Sequence, residues 1–442
     1  MTYDFTETEE DLGLNMVTVH EAIEDCMADV VRLDRSITVM ESLKSKGDEK
    51  AIRQAMHLNH VLRQNIGRHY DLEAPTFVVE SYGTPVLALE EMVEESKGVV
   101  RRMIDAVIKA LEWLWEKITG LFSKGETKEQ KQEKADELTK KVEEATKAGT
   151  KPVEVIKEKW VAACFGPLAS GNSITINQIY PWIDQAAADI RALSVLINNI
   201  SKNLRDAGNE ASKYQEGATS EEVAASAKAF TEKLEAEIAQ QVKGKITNEI
   251  SGKFPIEKIV AALVPEKTHC FEPIPHSAGA MLAIFGISKE GKMKTSMTNY
   301  KPPKDAMLEV KLSTSIDGGI SELAKKAEVL MLAIGSMNED MHSKLSTIKS
   351  DANALTAKLK DIKAKAEGGK ISPELVKSFV ATVNSVGSVQ ATLVNMAAKC
   401  ATADKCYIDL VSAAFGAKPE EKKEEKPGDT TPPEAKPEEN KP

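Results

Sequence analysis

Aromatic side chains are scarce in this 442-residue chain, at 5% of positions. No run of about 20 apolar residues occurs, so no transmembrane helix is expected. Basic residues are not in excess either. Lys and Arg number 58 against 68 Asp and Glu, a net charge of −10, which argues against a dedicated DNA-condensing protein. Cysteine is sparse, odd in number and dispersed: Cys26, Cys164, Cys270, Cys400 and Cys406. That pattern is no disulfide framework and predicts free thiols in a reducing compartment. The acid-rich start, MTYDFTETEEDLG, lacks the apolar core of a secretory signal.

Catalytic signatures are missing as well. There is no G-x-S-x-G, P-loop, G-x-G-x-x-G or H-E-x-x-H. His269, Cys270 and His276 have no C-x2-C or H-x3-H beside them, so no metal site is expected. Cys400 and Cys406 read as two buried thiols, and His57, His60 and His69 as a surface or interface group. These absences point to a non-enzymatic chain with no cofactor.

What is present favours helix. Ala, Lys, Glu, Val and Leu dominate, and these lose little rotamer freedom in an α-helix. The expected fold class is mainly α, with several helical segments, a small β element near 265–315 and a long antiparallel C-terminal helical hairpin. Residues 1–70 predict a separate helical N-terminal unit, with Val17, His20, Ile23, Cys26, Met27, Val30 and Val31 recurring at three- and four-residue steps. Pro75, Gly83 and Pro85 predict a linker over 71–90. Over 91–150 an amphipathic helix is followed by a Lys- and Glu-dense stretch that reads as a charged linker or as a solvated helix laced with i,i+4 pairs. The stripe of the amphipathic helix runs through Val99, Val100, Met103, Ile104, Val107, Ile108, Leu111, Leu114, Trp115, Ile118, Leu121 and Phe122, with Trp113 at the margin. A helix packed on a core accounts for the stripe, and a membrane-surface or partner-binding helix is the alternative.

Residues 151–312 predict a helical unit, broken near Gly208 and Gly217, that carries the β element with a hairpin turning at Lys289 to Lys292. Over 313–416, apolar residues from Ile320 to Ile362 alternate three- and four-residue steps. Gly368 and Gly369 end that helix, then Ser372 and Pro373 start the return helix. A hairpin stable on its own seam is expected. Residues 417–442, acidic and Pro-rich, predict a disordered tail.

The segment FVVESYGTPVLALEEMVEESKGVVRRMIDAVIKALEWLWEKITGLF, from Phe77 to Phe122, joins an acidic leader to a helix with Trp-rich, Lys-flanked turns. It resembles the internal head proteins of large tailed bacteriophages. The resemblance implies a virion structural protein, made in the host cytoplasm and packaged inside the capsid with the genome. Its partners would be other head proteins and the maturation protease, with packaged DNA nearby but not specifically recognised. It also implies removal of an N-terminal propeptide after a small-or-apolar, any, Glu tripeptide. Ala88-Leu89-Glu90 fits, and Val78-Val79-Glu80 fits a looser form. Glu91 is the favoured new N-terminus and Ser81 the other, because a protease needs accessible backbone and the linker is expected to supply it. The rival reading is a helical membrane-acting protein of the pore-forming toxin type, using Met103, Val107, Leu111, Trp113, Trp115 and Phe122 as its interaction face.

Overall fold

The computed structural model describes residues 9–44, 49–70, 85–121, 125–276, 279–312 and 319–416; the side chains of 9–18, 67–70 and 85–87 are not described. The tail 417–442 lies outside these residues. Among the described residues the chain is mainly helical, with two small sheets.

Two helices, α1 (Glu9–Lys44) and α2 (Glu49–Tyr70), open the chain. They are not a separate unit. Val19, Ile23, Met27, Val30, Leu33, Ile37 and Met40 of α1 are buried in the same continuous core as the rest of the chain. The period of the stripe forecast the helix but not its partners.

The next helix, α3, spans Pro85–Leu121, so the expected linker is shorter than 71–90. Pro85 does not keep the chain out of helix. It occupies the first helical position, where its missing N–H costs nothing. Residues 128–147 form α4 (Lys128–Lys147), the helical of the two expected readings. Thr127 and Gln130 close a capping box at its start. Its buried face is Lys131, Ala135, Leu138 and Val142. The spacing is helical, but a lysine stands where an apolar residue would have revealed it.

After β1 (Val155–Ile156), α5 (Lys159–Phe165) and β2 (Ser173–Thr175) come α6 (Ile176–Asn198), α7 (Ile200–Glu210) and α8 (Ser220–Gln241). The break between the first two falls at Asn199, and Gly208 lies inside α7. The short helices α9 (Asn248–Lys253) and α10 (Glu257–Ala262) lead into the larger sheet. That sheet comprises β3 (Leu263–Cys270), β4 (Ile274–His276), β5 (Gly279–Ser288) and β6 (Met293–Asn299). The expected hairpin is present, with β5 and β6 antiparallel and Ser288 N donating to Lys292 O at 2.8 Å. β3 and β4 follow one another along the other edge of β5. All of β5 is buried. Met281, Ala283, Phe285 and Ile287 enter the main core, whereas Leu282 and Ile284 enter a smaller one with Ile250, Phe254 and Ile256. Cover on both faces is why its sequence is a continuous apolar run. A last strand, β7 (Glu309–Lys311), sits between β1 and β2.

The C-terminal third contains α11 (Ile320–Glu367), α12 (Pro373–Cys400) and α13 (Ala403–Ala414). The first ends as its glycines forecast. Gly369 is left-handed, at φ +69°, which glycine adopts without a Cβ clash. Lys370 N then donates to Lys365 O and Gly369 N to Ala366 O, the two bonds of a Schellman cap. Ser372 Oγ accepts from Leu375 N to begin α12. The expected self-sufficient hairpin seam is not what holds these helices. α11 packs chiefly on α4 and α6, and α12 packs more on α1, α8, α3 and β6 than on α11. Every residue from Thr382 to Ala397 is buried, so α12 has cover on all sides. The heptad-like spacing of α11 was correct, but one apolar stripe does not say which helix covers it.

An isolated 319–416 fragment would expose most faces of α12. It is expected to show no cooperative melt as a monomer, and a sharp monomeric transition would contradict this packing. In the intact chain Leu355 is buried, so Leu355→Asp is expected to cost about 3 kcal/mol or more in denaturant unfolding.

Candidate functional site

The sequence singled out α3 and the stretch before it. The described stripe residues, Val99, Val100, Met103, Ile104, Val107, Ile108, Leu111, Leu114, Trp115, Ile118 and Leu121, are all buried. Trp113 is half-buried, with Lys117 Nζ 5.7 Å from its ring centroid. Phe122 lies outside the described residues. In this fold the stripe is occupied by protein. A membrane or partner could use it only after its cover had left.

That cover includes α1 and α2. Polar contacts fix it in register. Lys97 binds Glu41 at 2.9 Å, and Lys44 pairs with Glu90. The guanidinium of Arg63, 2% exposed, donates to Glu95 at 3.0 Å. Ser96 donates to Asn59 at 3.0 Å, and Asn59 donates to Ser36 at 2.9 Å, which ties α3, α2 and α1 together.

Of the two candidate processing tripeptides, Val78-Val79-Glu80 lies outside the described residues. Ala88-Leu89-Glu90 lies in α3, with Ala88 and Leu89 fully buried and Glu90 exposed. The expectation of accessible, extended backbone at Glu90 is therefore overturned. Helical hydrogen bonds and burial withhold the bond after Glu90 from a protease unless α3 opens locally.

At the other end of the cover, α1 meets α12 and α3. His20 Nδ1 lies 2.5 Å from Asn384 Oδ1, while Asn384 Nδ2 donates to His20 O at 3.2 Å. The second bond orients the amide, so Nδ1 donates. Gly387 makes this approach possible: a Cβ there would lie 2.9 Å from His20 Cε1 and 3.8 Å from Trp115 Cζ2. Burial lowers the His20 pKa to about 4, against opposing contributions from Asn384 and Glu24. Sequence reading placed this residue on the helical stripe but missed its role, because a lone histidine there carries no signature.

The other histidines do not assemble. His57 is exposed, His60 Nε2 is 2.9 Å from Gln64 Nε2, and the side chain of His69 is not described. His269 meets Glu235 at 2.6 Å, and His276 is buried with its pKa lowered to about 4 by burial. Among the described residues no group of three or more His, Cys, Asp or Glu is placed to hold a metal ion. No described helix is long and apolar enough to cross a membrane. A concavity of about 740 Å³ on α2, lined by Glu49, Lys50, Arg53, Gln54, His57 and Leu58, is broad and open to solvent.

Lys131 is a second feature that the sequence hid. It is 2% exposed and binds Asp404 at 2.7 Å, Glu126 at 3.0 Å and Ala401 O at 3.1 Å, which fastens α4 to the start of α13. A buried ammonium needs such complete pairing.

The buried groups make a pH prediction. His20 and His276 titrate near 4 folded and near 6.5 unfolded, so their contribution to stability is present above 6.5 and lost as pH falls towards 4. Asp189 and Asp34 act oppositely. Burial raises them to about 7 and about 6, so their contribution is present below their ordinary 3.8 and lost as pH rises through those values. The two sets offset one another between pH 4 and 6, and a shallow profile is expected there. His20→Gln removes one histidine from the balance. The stability gap between wild type and variant should narrow by about 3 kcal/mol from pH 7.5 to 4. A gap independent of pH would remove His20 from this role.

No protein-family model, no curated protein and no solved structure matches the chain.

Proposed function

We propose that the chain is a non-enzymatic structural protein of the head interior of a large tailed bacteriophage, made as a precursor and trimmed after Glu80. The reading rests on the resemblance of the Phe77–Phe122 segment. The observation that carries the choice of cut is the setting of the alternative site: hydrolysis after Glu90 would cut into α3 beside buried Leu89 and Met92, which leaves Val78-Val79-Glu80 as the candidate.

Two consequences favour this cut. Residues 1–80 hold sixteen Asp and Glu against eight Lys and Arg, a net −8. Subtracting that from −10 leaves −2 for residues 81–442, which lowers repulsion from packed DNA. The same cut frees α1 and α2 from covalent attachment. They can then leave the faces of α3 and α12 that they cover, and those apolar faces become available to other head proteins.

Mass spectrometry of purified particles should find a mature N-terminus at Ser81, and Glu80→Gln should preserve the precursor without changing its melting. A mature start at Met1 or Thr2 would overturn the propeptide. A start at Glu91 would instead mean that α3 opens before cleavage. Recombinant 81–442 should bind a hydrophobic dye more strongly than the full chain and self-associate at lower concentration. A monomeric, dye-silent product would show that α1 and α2 cover nothing of consequence.

A further inference from the structure

Cys164 and Cys406 are separated by 242 positions, yet their sulfurs lie 2.9 Å apart. Both thiols also point at one acceptor, the carbonyl oxygen of His276, at 3.5 Å and 3.1 Å. The neighbouring residues hold the same register. Phe165 and Tyr407 pack with ring centroids 5.6 Å apart. On two helices, two successive residues in matched contact fix relative rotation as well as distance. The other thiols have different surroundings: Cys26 Sγ lies 3.8 Å from Met103 O, and Cys400 ends α12 on a different helix from Cys406.

We propose that Cys164 and Cys406 are an oxidisable pair that joins α5 to α13 by a disulfide when the protein meets hydrogen peroxide. The sulfurs need to close by less than 1 Å to reach the bonded separation of about 2.05 Å. Both residues are buried, and burial holds the Cys406 thiol strongly in its protonated form. Reaction therefore waits for an opening of α13, the last described helix. Once exposed, the Cys406 thiolate attacks one peroxide oxygen. The O–O bond breaks, the departing oxygen leaves as water after protonation, and a sulfenic acid forms. On reclosure the Cys164 sulfur attacks that sulfur, the S–O bond breaks, and a second water leaves. Two thiols and one peroxide thus give one disulfide and two waters. The product links segments that flank more than half the chain, and a bridge closing so long a loop restricts the unfolded state strongly.

The test uses the full chain treated with hydrogen peroxide, alkylated under denaturing conditions and digested. The expected product is a peptide pair containing Cys164 and Cys406, about 2 Da lighter than the two reduced peptides together. The melting temperature should rise by about 5 °C and return on reduction with dithiothreitol. Mild denaturant should accelerate the reaction, and Cys400→Ala should leave it intact, whereas Cys406→Ala should abolish both the link and the shift. Peptide mapping of the wild-type chain decides the matter even if the variant misfolds. A Cys400–Cys406 link, overoxidation of Cys406 without a link, or two alkylatable thiols after prolonged peroxide in mild denaturant would each overturn the proposal.

Discussion

The structure depends on the complete enclosure of α12. A helix buried around its circumference needs partners on every side, and its neighbours α1, α3, α8 and β6 supply them. The helix is not purely apolar. Asn384 bonds to His20, Ser388 and Thr392 bond to Thr295 at 2.8 Å, and Gln390 donates to Ile200 O at 3.3 Å. Apolar contact alone tolerates sliding, whereas each buried polar group left without its partner costs free energy. The polar residues therefore specify where α1, β6 and the start of α7 sit along α12. Ser385 satisfies itself locally, on the carbonyl of Ala381, and carries no such information.

Periodicity disclosed elements better than it disclosed partners. The stripe of α3, the spacing of α11, the turn between β5 and β6 and the Ser372-Pro373 start were all legible, because each is decided by a few adjacent residues. What escaped was decided at long range. The sequence left α4 open between solvated helix and linker because Lys131 occupies a core position and its neutralising partner Asp404 is distant in sequence. Pro85 read as a breaker because proline also starts helices, and only the packing of Ala88 and Leu89 separates the two cases. The C-terminal hairpin was overread for the same reason: an apolar seam records that something covers it, not what. Of the candidate site, the helix and its stripe were visible, while the cover laid over it was not.

The N-terminal pair gives the proposed role a physical form. α1 and α2 are held by ion pairs and hydrogen bonds around an apolar contact, not by a shared backbone element with α3. Several of those ion pairs have exposed partners and weaken with salt, while the apolar contact does not. A cover of this kind stays in place after its connection is cut, until a competing apolar surface replaces it.

The pairing of His20 with Asn384 joins residues 364 positions apart. A ribosome makes α1 near the start and α12 near the end. At typical elongation rates the interval is on the order of tens of seconds. During that time the buried face of α1 has only α2 and α3 to pack against, and the rest of its partner surface does not yet exist. The nascent chain thus carries a partly uncovered apolar helix face through most of its synthesis, the kind of surface that chaperones bind.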